Sequence, residues 1–268
     1  MKYRPRIRSR HPSHNVLRRI LPKVEKTVVV RFGSTTISNA NIEVNTIEAV
    51  KNSSDKLKMK NKFLEADVRT PIWFTFYKNY NFFNCITKEI VNFENMPFPI
   101  IAKRRFGSRN NGNEKIDNAT DLNSFLNKHS GELNNFIFER FYNFNKEYRL
   151  HVTKDGVFYS CRKMIKNNTP DEHKWFKNNL NCVWILEKNE LFDKPDNWDY
   201  IVNESVKALN AVGLDFGAVD VRVQSNNKFP AFVIIEINSA PSFGEITAEK
   251  YKEILPKIIN KKINENYQ

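Results

Sequence analysis

The sequence predicts an α+β fold, and three observations predict it. Two alternating apolar runs flank Asp155-Gly156, a strong two-residue turn signal for an antiparallel hairpin. A stretch with helical spacing, Trp198–Val212, is followed directly by two further strand-like runs. The chain is 40% hydrophobic, with 21 Phe, 9 Tyr and 4 Trp, enough to fill a sizeable core in its 268 residues. No internal repeat and no long linker interrupts it.

The elements follow in order. "TVVVRFGSTT", Thr27–Thr36, reads as a strand ending in a Gly-Ser-Thr turn. A polar stretch rich in Asn and Lys then extends to about Asn61. "NKFLEADVRTPIWF" reads as a short helix running into a strand after Pro71, and Pro99–Arg105 as a strand opening into the Gly/Asn/Ser loop "RRFGSRNNGN". Asp121–Leu133 has helical spacing, and "NFIFERFY" is an aromatic strand or linker. The hairpin "EYRLHVTKDGVFYSCRKMIK" follows, then a loop-rich region, Asn167–Asp193. In the next helix Trp198, Ile201, Val202, Val206, Leu209 and Val212 share a face. Asp196 or Asn197 is placed to cap its start, and Gly213 suits its end. "GAVDVRV" and "AFVIIEIN" are the last two strands.

Net charge is +13, of which +8 lies in residues 1–23: Lys2, Arg4, Arg6, Arg8, Arg10, Arg18, Arg19 and Lys23, with no acid among them. Such an arm is a solvated tail or a contact surface for an anionic substrate, nucleic acid or an acidic protein. His11 and His14 in it are too few and too loosely set for a metal site. Cys85, Cys161 and Cys182 show no metal or redox spacing, as expected of reduced thiols in a cytoplasmic protein. No apolar run reaches the roughly 18 residues of a membrane span, and no secretory signal is expected.

The chemistry concentrates in the last two strands. Side chains alternate along a strand, so Glu236 and Asn238 share one face and Val233, Ile235 and Ile237 the other. Asp220 and Arg222 likewise share a face. If the connection covers about Gln224–Ala231, Asp220 falls within a residue of Glu236. Two carboxylates and an amide would then converge, and close carboxylates repel unless a cation or proton lies between them. Asp220, Glu236 and Asn238 are therefore candidate ligands for Mg²⁺, with Mn²⁺ as an alternative. In the hairpin, a two-residue turn at Asp155-Gly156 would set Arg149 opposite Arg162 and Glu147 opposite Met164; slipping by one would bring Lys163 opposite Arg149. Facing cations call for a bridging anion, for which phosphate is suited. Lys103, in an apolar strand before a glycine-containing loop, could reach a phosphate as well. There is no GxxxxGK[ST], no GxGxxG after a strand and no Ser-His-Asp or Cys-His arrangement.

Taken in order, "RFGSTT", "NKFLEADVRTPIWF", "PIIAKRRFGSRNNGN", "FIFERFYNFNKEYRLHV", "CRKMIK", "LNAVGLDFGAVDVRV" and "VIIEINSAPSFGEIT" resemble the ATP-grasp superfamily over roughly residues 27–248. The likeness is to phage and bacterial ATP-grasp proteins related to the ribosomal-protein glutamate ligase. The resemblance implies two α+β lobes clasping ATP and an ATP-dependent carboxylate–amine ligation through an acyl phosphate. It implies that Lys103, with Lys62, contacts nucleotide phosphates. Glu139, Arg140 and Phe141 become the hinge whose backbone holds adenine, and Glu147 the ribose-binding acid. Arg162 or Lys163 would reach phosphate. Asp220, Glu236 and Asn238 become the Mg²⁺ ligands, in agreement with the strand argument. Arg149, Arg222, Ser239 and Ser242 are assigned to the acyl substrate or its phosphate, with Arg149, Arg222 and Asn238 as catalytic candidates.

The expected organisation is a basic arm (1–26), a reduced N-terminal segment (27–60) and an ATP-grasp domain (61–268) with lobes at about 61–138 and 139–268. ATP-grasp enzymes usually carry a fuller N-terminal domain, and the glycine loop here is thin. An alternative is an ATP-binding adaptor without turnover that uses the arm to bind nucleic acid or an acidic protein. For the ligase, Asp220→Asn or Glu236→Gln is expected to abolish turnover with little loss of folding.

Overall fold

The structure, a computed structural model, describes residues 6–8, 14–21, 23–24, 27–107, 112–178, 180–224, 229–242 and 244–266. Three sheets organise it. The first is wholly parallel: β1 (Arg6–Arg8), β2 (Val28–Arg31) and β3 (Ile42–Val44), with α1 (His14–Ile20) between the first two strands. Val28 and Val30 of β2 pack with Leu17, Leu21, Ile42 and Val44. They are covered by Tyr251, Leu255 and Ile259 of α6 (Glu245–Glu265), so the C-terminal helix closes the N-terminal sheet. Arm residues 1–5 and 9–13, and with them Lys2, Arg4 and Arg10, lie outside the described residues. No described helix is long and apolar enough to cross a membrane.

Residues 36–61, expected as a polar stretch, hold β3 and two helices, α2 (Ile47–Ser54) and α3 (Lys56–Glu65). Thr46 accepts a hydrogen bond from the Ala49 amide, and Asp55 one from the Leu57 amide, so each helix is started by a side-chain cap. The buried face of α3 is Lys56, Met59, Lys60 and Phe63, a regular helical stripe in which two of four members are lysines.

A six-stranded antiparallel sheet follows. Its strands are β4 (Trp73–Lys78), β5 (Asn81–Asn84), β6 (Ile90–Asn92), β7 (Ile100–Arg104), β8 (Glu114–Ile116) and β9 (Phe136–Arg140), in spatial order β6-β5-β4-β9-β7-β8. Phe74, Phe82, Phe136 and Phe138 fill its inner face against Phe125 of α4 (Ala119–Lys128).

The third sheet is five-stranded and antiparallel: β10 (Lys146–Thr153), β11 (Gly156–Ile165), β12 (Cys182–Leu186), β13 (Phe216–Val223) and β14 (Phe232–Asn238), in order β12-β11-β10-β13-β14. One face carries Tyr148, Leu150, Val219, Val221, Ile234 and Ile237 against α5 (Trp198–Val212) and against Met59 and Phe63 of α3. The other face turns towards β7 and β9. Gly213 ends α5 in the left-handed conformation, φ 80°. Asn197 holds the N-cap position without a side-chain cap bond.

Two bulges interrupt these strands; the first corrects the expected hairpin register, and the second keeps Asp220 opposite Glu236, as expected, while turning Ile235 to their side. In the hairpin, Thr153 pairs with Gly156, so the turn is Lys154-Asp155, one residue earlier than expected. A bulge between His151 and Val152 then sets Glu147 opposite Lys163, Tyr148 opposite Arg162 and Arg149 opposite Cys161. Cation does not face cation. In β14 the shift falls after Ile234: Val221 pairs with Ile234 and Asp220 with Glu236, leaving Ile235 as the extra residue. Ile234 and Ile237 enter the core, while Ile235 joins Glu236 and Asn238 on the cleft side.

Candidate active site

A cleft of about 500 Å³ lies between the six- and five-stranded sheets. From the former it takes Ile101, Lys103, Glu139 and Arg140; from the latter Glu147, Arg149, Lys163, Trp184, Asp220, Arg222, Ile235, Glu236 and Asn238. Strand alternation puts Glu147, Arg149, Asp220 and Arg222 on one face of the five-stranded sheet, and the opposite face is spent on the core; Arg140, next to Glu139, lies at the exposed end of its strand.

The charges form two connected sets. Arg149 grips Asp220 with Nε to Oδ1 and Nη2 to Oδ2, both 2.8 Å. Lys163 Nζ reaches Asp220 Oδ2 at 3.0 Å and Glu147 Oε1 at 2.7 Å, and Arg222 Nε holds Glu147 Oε2 at 3.1 Å. Burial pushes both carboxyls up, but the neighbouring cations outweigh it. Lys163, Arg222 and Lys177 hold Glu147 at about 2, and Arg149 and Lys163 hold Asp220 far below the usual carboxylate range. No bridging phosphate is needed to reconcile these cations, because each is already paired with a carboxylate.

The second set centres on Glu139, 2% exposed. Lys103 Nζ donates to its Oε2 at 2.6 Å, and Lys60 Nζ lies 3.3 Å from its Oε1, which receives no well-aligned hydrogen bond. Burial lowers Lys60 to about 8, with Glu139 opposing and Lys103 adding to the shift.

Two expected residues fall elsewhere. Lys62 pairs with Glu65 at 2.5 Å on the exposed side of α3, because positions two apart on a helix do not share a face. Lys60 takes the inward position instead. Arg162 lies on the opposite face from Lys163, donating to the Leu191 carbonyl at 2.8 Å. The hinge amides are also spent: Arg140 N–H donates to Ile72 O and Phe141 N–H to Pro99 O, both 2.9 Å. Tyr142, next in the chain, lines the cleft, and its amide has no partner among the described residues. The Phe141 ring lies under Arg222, 5.3 Å from its guanidinium carbon. Of the two assigned serines, Ser242 lines the cleft, and buried Ser239 is not among the residues lining it.

Asp220 faces Glu236 in register, and the Asn238 amide donates to Glu236 Oε1 at 3.1 Å. Among the described residues no three Asp, Glu, His or Cys side chains form a metal cluster. The set is two carboxylates and one amide. Three donors occupy Asp220, which leaves one of its about four acceptor positions open; Glu236 Oε2 and Asn238 Oδ1 accept no hydrogen bond among the described residues. These hard oxygen donors fit a divalent cation such as Mg²⁺.

Sequence patterning did not single out Lys60, Ile235, Tyr142, Trp175, Lys177 or Trp184. Lys60 had a signal, the stripe at 56, 59, 60 and 63. Trp175 and Lys177 sit in the loop-rich region, and Trp184 on the short β12 within it, where the aromatic cluster "KWFKN" was the only cue. Trp184 underlies both Arg149 and Lys163, with 5.1 and 5.5 Å to its ring. Residues 108–111 of the glycine loop lie outside the described residues. The loop's start is anchored by Lys56 Nζ, which donates to Gly107 O at 2.9 Å.

No protein-family model and no curated protein sequence matches the chain. Solved structures do. A D-alanine–D-alanine ligase from Bacillus anthracis is similar with a TM-score of 0.58 at 15% identity, over 83% of this chain and 72% of that one. N5-carboxyaminoimidazole synthetase from Staphylococcus aureus, complexed with ADP, gives 0.58 at 18% identity, over 80% and 54%. The ATP-grasp ligase PsnB, complexed with a minimal precursor, gives 0.51 at 17% identity, over 75% and 56%. The chain thus spans only about half the length of the last two. At such identities a likeness establishes the fold: this chain has the ATP-grasp fold.

Proposed function

We propose that the chain is an ATP-dependent carboxylate–amine ligase. The observation that carries this reading is the placement of Asp220, Glu236 and Asn238 with Lys103, Arg149, Lys163 and Arg222 in one cleft between two sheets, with Lys60 buried behind it against Glu139. The adenine lies between Ile101 and Ile235, with the Tyr142 amide as its hinge donor. Glu147 accepts a ribose hydroxyl at a position left free by Lys163 and Arg222. Lys60 and Lys103 turn from Glu139 to the phosphates. Asp220, Glu236 and Asn238 would hold Mg²⁺, or Mn²⁺, which neutralises triphosphate charge when bound.

Such a reaction needs positioning and electrostatic clamping more than an enzyme nucleophile. A substrate carboxylate oxygen bonds to the γ-phosphorus as the bond to the β–γ bridging oxygen breaks, and ADP leaves. An amine then attacks the acyl carbon; its C–N bond forms as the C–O bond breaks, phosphate departs and the amine loses a proton. Arg149 and Arg222 are poised to meet the developing charge, because each can exchange a carboxylate partner for a phosphate oxygen.

The test is incubation with ATP, Mg²⁺ and a panel of amino acids and peptides, followed by mass spectrometry. ADP together with a new amide is the expected result. Nucleotide binding without any product across a broad panel would leave the adaptor reading in its place.

A further inference from the structure

Beyond Arg149 lies a second cavity of about 630 Å³. Its floor continues the same face of the five-stranded sheet. His151 follows Arg149 by two positions, Tyr159 and Cys161 precede Lys163 by four and two, and Leu186 follows Trp184 by two. Each two-residue step along a strand is about 6.7 Å. The cavity therefore begins one step from Asp220, which pairs with Arg149. Its far wall is the first turn of α6, Gly244–Thr247. Arg149, Trp184 and Ser242 line both spaces, so the two adjoin.

The lining has a definite chemistry. Trp184, Leu186 and Ile246 supply apolar wall, and Ile246 is 53% exposed despite its size. Arg149 stands at the end nearer Asp220, and Glu245 is the one carboxylate among the described lining residues. His151 is 1% exposed; its Nδ1 bonds to the Tyr251 hydroxyl at 3.1 Å, and its Nε2 has no hydrogen-bond partner among the described residues. Burial, then Arg149, lowers this imidazole to about 3, so it is a neutral hydrogen-bonding group. The volume lies within the roughly 300–1,000 Å³ of pockets that enclose drug-sized ligands.

We propose that this cavity binds the carboxylate substrate, and that the substrate is a short peptide with an apolar side chain. Its carboxylate lies towards Arg149, its amino end towards Glu245, and its side chain against Trp184, Leu186 and Ile246. Charge sets this direction: a carboxylate at the far end would face Glu245, and one at the near end meets Arg149 beside the phosphoryl site. The assignment rests on the ligase reading for its place in the reaction, and its binding test does not.

The test is calorimetric titration of the full chain with dipeptides carrying leucine, phenylalanine, aspartate or lysine, alongside a separate ATP–Mg²⁺ titration. Leucine and phenylalanine dipeptides are expected to bind at least about tenfold more tightly than the aspartate dipeptide. Ile246→Arg, at an exposed position, and Leu186→Trp, which fills the cavity, are expected to weaken them by about tenfold or more while ATP affinity stays at the wild-type value. Failure of every dipeptide to bind wild-type protein, or equal binding to both variants, would overturn the assignment. Peptide binding with these properties but no ATP binding would sink the ligase reading and leave the peptide site standing.

Discussion

Lys60 and Glu139 lie 3.3 Å apart with neither side chain more than 3% exposed, one on a helix and the other on a strand of the six-stranded sheet. Lys103 holds the other oxygen of the same carboxylate. One buried acid thus holds Lys103 at the cleft and Lys60 behind it, and Lys103 can turn to a phosphate without leaving the acid unpaired.

Lys60 and Lys62 should therefore separate cleanly. Lys60→Met removes a charge-assisted contact and is expected to weaken ATP binding by about ten- to a hundredfold. Lys62→Ala breaks only an exposed ion pair and is expected to change affinity and stability negligibly. Titration with a fluorescent nucleotide decides it. Equal effects would return Lys62 to the site.

Because burial holds Lys60 at about 8, free protein carries it partly neutral above that pH. Phosphate oxygens favour the ammonium, so ATP binding near pH 8.5 is expected to take up part of a proton. Calorimetry in buffers of different ionisation enthalpy measures this, and Lys60→Met should abolish it.

Asp220→Asn and Glu236→Gln are not equivalent tests, contrary to expectation from the sequence. Asp220 neutralises Arg149 and Lys163 in the interior; losing it leaves buried cations and is expected to cost about 3–5 kcal/mol in denaturant unfolding. Glu236 is half-buried and accepts only the Asn238 amide among the described residues. Its change to Gln is expected to leave stability within about 1 kcal/mol while lowering turnover about 100-fold.

Acid should destabilise the fold in two stages. The unfolded imidazole of His151 titrates near 6.5 and the folded one at about 3, so the unfolded chain binds the extra proton between them and stability falls as pH drops through that window. Glu147 follows: its contribution is complete above the ordinary carboxylate range and is lost as pH falls towards about 2, with Asp220 acting in the same direction. Melting temperatures measured against pH for wild type and His151→Gln are the check. The variant should begin its decline only in the carboxylate range.

Gly33 has φ +69°, and a Cβ built there would lie 2.7 Å from the Ala240 Cβ. Gly33→Ala is expected to cost about 1–3 kcal/mol through strain and displacement. Ala240 lines the cleft, so ATP affinity should fall too, and melting and nucleotide titration together would show whether both occur.

Legibility followed the strength of local pattern. The helix at Trp198–Val212 and the pairing of Asp220 with Glu236 were both readable, since each rests on periodicity or a short connection. Residues 36–61 were not, because the inward stripe of α3 is half lysine and hides inside a polar composition. The bulges at His151 and Ile235 left no local mark; where a strand gains a residue is decided by its partners across the sheet. Residues 245–265 were left unassigned, and α6 runs there with Pro256 inside it.

The extra residue in β14 also limits which changes of chain length the protein can absorb. Removing one residue between Phe232 and Glu236 would restore strict alternation, and a one-place slip exchanges what each position faces. Deleting Ile235 itself would keep Asp220 opposite Glu236 and leave Ile234 and Ile237 in the core, whereas deleting Ile237 would exchange the faces of the residues that follow it.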